Sequence, residues 1–167
     1  MNNEKPALER KVALTLSEQS VSTIRILMHQ RDALFARLQL LRDRAEDESG
    51  ASTPLSTVEQ VALSMGQTLQ VFAGTHIDAA LSCLAHNPKA FDAIKGEIEP
   101  SMVEHFLDGA KDDIAYGPLH GFSPDATVTS DLLMVPEHVR AANGIHERIF
   151  QLLAQVDAQS AAATKQA

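Results

Sequence analysis

Residues 20–44 read SVSTIRILMHQRDALFARLQLLRDR, and this stretch decides the fold. Ile24, Leu27, Leu34, Leu38 and Leu41 follow a three-and-four rhythm, interrupted at Arg31 and widened by Val21, Met28 and Phe35. That spacing lays one apolar face along a helix and turns it toward a partner. Working outward, Thr15 and Ser17 suit a helix start, with Thr15 and Glu18 at capping-box spacing, and Gly50 suits a stop. The first helix is therefore expected over about 17–48. Upstream, Val12–Leu16 alternates apolar with small or polar residues and reads as a short strand.

Gly50-Ala51-Ser52-Thr53-Pro54 reads as a loop, and a second helix is expected over about 54–86, closed by Asn87-Pro88. Val58, Ala62, Met65, Leu69, Phe72, His76, Ala79 and Cys83 repeat the spacing. Gly66 and Gly74 each cost about 1 kcal/mol in a helix interior, which leaves a break at Gly74-Thr75 open. Small residues (Ala62, Gly66, Ala73, Ala79, Ala80) permit close helix approach. Shorter helices follow: one around Phe91, Ile94 and Ile98, and one opened by Pro100 with Val103, Phe106, Leu107, Ala110 and Ile114 inward. A breaker cluster, Tyr116 to Pro124, comes next, then a possible second strand at Thr127–Thr129. A last helix is expected from Pro136, with Val139, Ala142, His146, Ile149, Leu153 and Val156 in step.

The expected fold is thus mostly α: a helical bundle built on a long antiparallel hairpin, shorter C-terminal helices, and at most one or two short strands. The 167 residues fit a single helical domain, 1–167, with 1–11 and 160–167 flexible. A helix of ~30 residues is about 45 Å long, against roughly 40 Å for a globule of this size. Covering the hairpin's wide seam with a second copy gives a homodimer; the rival is a monomer that wraps the hairpin with its C-terminal helices.

Composition excludes several classes. The apolar fraction is 44% and the charged fraction 22%, ordinary for a folded protein. No apolar run approaches the ~20 residues of a membrane span, and the opening residues lack a signal-peptide pattern. Cys83 is the single cysteine, so no internal disulfide or four-cysteine zinc site can form. A cytoplasmic location is the expectation. Net charge is −8, all of it from residues 49–167, and Asp92 to Asp131 holds nine acids against Lys95 and Lys111. Such a field repels phosphate backbones and attracts cationic partners, so direct nucleic-acid binding is disfavoured.

Candidate sites are few. Cys83 and His86 are close enough to share a metal, while His76 lies about 10 Å further along the axis; the plainer alternative is a core cysteine beside two seam histidines. His105, Asp108 and Asp112 share one polar face and could ligate a divalent ion, or simply be solvated. The loop 116–124 carries the single tyrosine, His120, Leu119 and Phe122, either as a displayed functional loop or as a plug. Arg31 interrupts the first stripe and is the best candidate for a specific ion pair, while the other arginines of that helix seek carboxylates in 92–131. No nucleophile elbow, phosphate loop or zinc-protease motif is present.

The sequence therefore favours a non-enzymatic, homodimeric helical module that binds a protein partner of basic character, as regulator, adaptor or inhibitor, and needs no cofactor. Its expected contact residues are Arg31, Asp108, Asp112, Asp113, Leu119, His120 and Phe122. The alternative is a metal- or small-molecule-binding helical protein, or an enzyme, that uses His105, His120 and nearby acids.

Overall fold

The structure is a computed structural model and describes residues 4–166. It is an all-helical bundle: α1 spans Glu4–Ala45, α2 Thr57–Leu84, α3 Pro88–Asp92, α4 Pro100–Tyr116 and α5 Pro124–Gln166, with 3-10 turns at Lys95–Glu97 and Gly117–His120. Among the described residues there is no strand, and no helix is long and apolar enough to cross a membrane.

Both expected strands are helical. Val12–Leu16 lies inside α1, where the hydroxyls of Thr15, Ser17 and Ser20 donate back to the carbonyls of Lys11, Leu14 and Leu16 at 2.9, 2.8 and 2.8 Å. These side chains satisfy themselves along the helix and do not cap it. Thr127–Thr129 lies inside α5, which starts at Pro124 and not at Pro136. Ser123 accepts from the Ala126 amide at 3.2 Å and caps this helix, and Pro124 follows as its first residue. Pro136 stands within α5, its missing N–H offset by the buried Leu132, Val135 and Val139 around it. The flexible ends expected at 1–11 and 160–167 fall partly on residues 1–3 and 167, outside the described residues; 4–11 and 160–166 are helical with exposed side chains.

The chain packs as two compact units. The first comprises residues up to Ile26 together with His76–Arg140; the second comprises Leu27–Thr75 and residues from Ala141 onward. In the second unit α1 and α2 form an antiparallel hairpin. Leu34, Leu38 and Leu41 pack with Ile149 and Leu153, and Ala62 packs with Leu152 and Val156. The capping box sits here: Ser56 N–H donates to Glu59 at 2.8 Å, and Glu59 N–H donates to Ser56 Oγ at 3.2 Å. Glu59 also pairs with Arg44 at 2.8 Å.

The first helix buries the stripe read from sequence, except Phe35, which is exposed. On α2 Ala62 is buried as expected and Val58 and Leu69 pack beside it, but further along the buried line is shifted by one residue. Ala62, Ala73, Ile77, Ala80, Leu81 and Leu84 face inward, while Met65 and Phe72 face out. Small residues accompany this phase: a Cβ on Gly66 would sit 2.8 Å from a Leu38 methyl, so the Leu38 side chain packs directly over the glycine and would have to shift for a larger residue. α2 runs unbroken through Gly74.

In the first unit, Phe91, Ile94 and Ile98 are buried as expected, and Phe106 and Ala110 anchor α4, while Leu107 is exposed. Asn87 organises the corner after α2. Its amide donates to Ser17 Oγ at 2.8 Å, and its carbonyl oxygen accepts from the Ala90 amide as the cap of α3.

Candidate functional site

The breaker cluster between α4 and α5 folds into a tight, displayed turn. Gly117 opens it, and a Cβ there would meet Thr127 Oγ1 at 2.6 Å, so a larger residue would force Thr127 aside where the turn seats on α5. Gly121 closes it at φ 81°, its N–H bonded to the Pro118 carbonyl at 3.1 Å. The turn and its two flanking residues present apolar surface: Tyr116, Leu119 and Phe122 are 60%, 77% and 54% exposed. Asp108, Asp112, Asp113 and Asp125 stand exposed on the adjoining helices. Beneath the turn lies a cleft of about 290 Å³ lined by Asp113, Tyr116, Gly117, His120, Phe122, Thr127 and Asp131.

At the edge of that cleft, three elements bring polar groups together. The His86 side chain is fully buried, and its Nε2 lies 2.8 Å from an Asp131 carboxylate oxygen and 3.4 Å from one of Asp113. Nδ1 of His86 is buried without a partner, so in the neutral ring the proton belongs on Nε2, donated to Asp131. Burial alone would lower the pKa of His86; the hydrogen bond and charge of Asp131, aided by Asp113, outweigh it and raise the value. The same two carboxylates also raise Cys83, whose thiol is pushed up to about 12 first by burial, then by Asp131 and Asp113. A thiol so protonated is no nucleophile at neutral pH.

Among the described residues, His86, Asp113 and Asp131 are the group of three potential ligands whose donor atoms lie within 4.8 Å of one another. The grouping differs from those suggested by spacing. His76 is not with Cys83 and His86; its Nδ1 faces Nδ1 of His138 at 3.2 Å. His105, Asp108 and Asp112 stand exposed on α4, with the His105 ring against Phe106. Of the expected contact residues, Asp113, His120 and Phe122 line one cleft and Leu119 is displayed beside it.

Arg31 belongs to the second unit, half-buried, where its charge helps to lower the pKa of His146. Arg25 and Arg10 find Glu97 and Asp125 in the acidic segment, at 2.7 and 3.4 Å. Arg37, Arg42 and Arg44 pair outside it, with Asp157, Glu46 and Glu59. Asp131 is the residue that sequence reasoning passed over. It sits 45 positions from His86 and 18 from Asp113, and no helical spacing links the three. No protein-family model, no curated protein and no solved structure matches this chain.

Proposed function

We propose that this protein works by binding another protein through the turn between α4 and α5, and that the partner presents a basic segment carrying an apolar anchor. The observation behind this reading is the exposure of Tyr116, Leu119 and Phe122 within seven residues, among the exposed Asp108, Asp112, Asp113 and Asp125. Large apolar side chains displayed together mark interaction surfaces, and aromatic residues are enriched in interface centres. The acids around them supply the complementary field for a cationic segment and speed its encounter.

The reading is tested by fluorescence anisotropy with two peptides of equal length and one shared leucine anchor, one rich in lysine and arginine, the other in glutamate. The basic peptide is expected to bind, to weaken as salt rises, and to lose at least about tenfold in affinity on Leu119→Asp. Equal affinity for both peptides, or indifference to Leu119→Asp, overturns it.

Self-association completes the proposal. Phe35 and Val71, both exposed, flank a groove on the outer face of the hairpin in the second unit, and a second copy is the occupant we assign to it. Sedimentation equilibrium checks this: Val71→Asp shifts a dimer to monomer, and a wild-type monomer at all concentrations rules it out.

A further inference from the structure

The acidic turn has a second capacity, in the three side chains at the edge of its cleft. We propose that His86, Asp113 and Asp131 bind one divalent first-row metal ion of the zinc or cobalt type. Ligands about 2.0–2.1 Å from an ion lie roughly 3.0 Å apart at octahedral angles and roughly 3.3 Å apart at tetrahedral ones. The His86 Nε2 distances to Asp131 and Asp113, 2.8 and 3.4 Å, bracket those values, and all three donor atoms lie within 4.8 Å of one another. The proton now held between Nε2 and Asp131 occupies the place an ion would take, and exchanging one for the other keeps every donor engaged.

Charge and donor chemistry agree with geometry. Two carboxylates neutralise a divalent ion, and a mixed imidazole–carboxylate set suits zinc, cobalt or manganese better than calcium. Asp113 lies in the last turn of α4, where the helix dipole presents its negative end to a cation. His86 is buried and rigid, whereas Asp113 and Asp131 also line the 290 Å³ cleft, so the remaining coordination positions open toward it for water or an exogenous ligand. Nδ1 of His86 has no partner to fix the ring, and lack of such support typically lowers affinity by 10–100-fold.

The test is calorimetric titration of the chelator-free protein with zinc chloride, and with cobalt chloride monitored by its visible absorption. One equivalent is expected, lowered at least about tenfold in affinity by Asp131→Asn and by Asp113→Asn. Glu104→Gln, at an exposed position nearer the start of α4, is expected to bind as wild type. Asp113 is half-exposed, so its variant keeps the fold and the comparison holds even where His86→Gln disturbs packing. Absence of saturable binding, a stoichiometry other than one, or a Glu104→Gln loss equal to that of Asp131→Asn overturns the proposal.

Discussion

His86 in the first unit and His146 in the second are both buried, and their surroundings give them opposite chemistry. His86 meets two carboxylates from α4 and α5. His146 meets a neutral amide: its Nδ1 pairs with Gln30 Oε1 at 3.1 Å, its Nε2 is buried without a partner, and the Arg31 charge lies near. For His146 burial leads and the Arg31 cation adds to it, so its pKa falls. For His86 the carboxylates overturn burial, so its pKa rises. Depth therefore sets only the size of the stakes; the neighbours choose the sign. Two carboxylates favour the charged form of the first histidine, while burial and a nearby cation favour the neutral form of the second.

The largest expected effect that sharpens this contrast is mechanical. His146→Ala removes a fully buried ring and strands the Gln30 amide, so urea unfolding should show a loss of about 3 kcal/mol. His146→Leu, which refills most of the space, should lose about 1 kcal/mol. Equal losses would mean the Gln30 contact, not volume, dominates.

The next effect is in pH. A histidine with a raised folded pKa adds stability that is complete below its unfolded value, near 6.5, and disappears as pH rises through the folded value. One with a lowered folded pKa adds stability present above about 6.5 and lost as pH falls through its folded value. Denaturation measured from about pH 5 to about pH 9 should thus give wild type two sloping limbs. Asp131→Asn should flatten the alkaline limb, by on the order of 1 kcal/mol for the charged hydrogen bond. His146→Leu should ease the acid limb, to which the depressed His138 also contributes. If Asp131→Asn leaves the alkaline limb unchanged, the two histidines are not the opposites described here.

How much of this could be read from sequence follows from which contacts are local. The α1 stripe from Val21 to Leu41 was legible because five turns repeat one period, and repetition averages out exceptions such as Phe35. The phase of α2 beyond Ala62 was not: large residues at Met65 and Phe72 outweighed the alanines in any reading by hydrophobicity, whereas Ala73 and Ala80 are the ones buried. Val12–Leu16 misled because five alternating residues are compatible with either period. The acidic turn was visible as a cluster of breakers. The convergence of His86, Asp113 and Asp131 was not, although His86 and Asp113 had each drawn notice separately, because only tertiary packing joins three distant elements.

The smallest expected effect lies in the loop after α1. Asp47 accepts from the amides of Ser49 and Ser52 and from the Ser49 hydroxyl, which hold its pKa down to about 2, the hydroxyl contact contributing most. Asp47→Asn should speed amide exchange at Ser49 and Ser52 while leaving the two histidine limbs where they are. A shift in either limb would mean that the loop is coupled to buried groups it does not touch.

The order of segments along the chain also has a consequence during synthesis. Leu34, Leu38 and Leu41 emerge from a ribosome early, yet their packing partners Ile149 and Leu153 come more than a hundred residues later. In between, the hairpin must wait with part of its apolar face uncovered, and its outward Phe35 and Val71 add to what is exposed. Premature association of nascent chains, rather than slow helix formation, is then the hazard of this topology. A stop codon placed after residue 140 should yield an aggregating product rather than a shortened folded one.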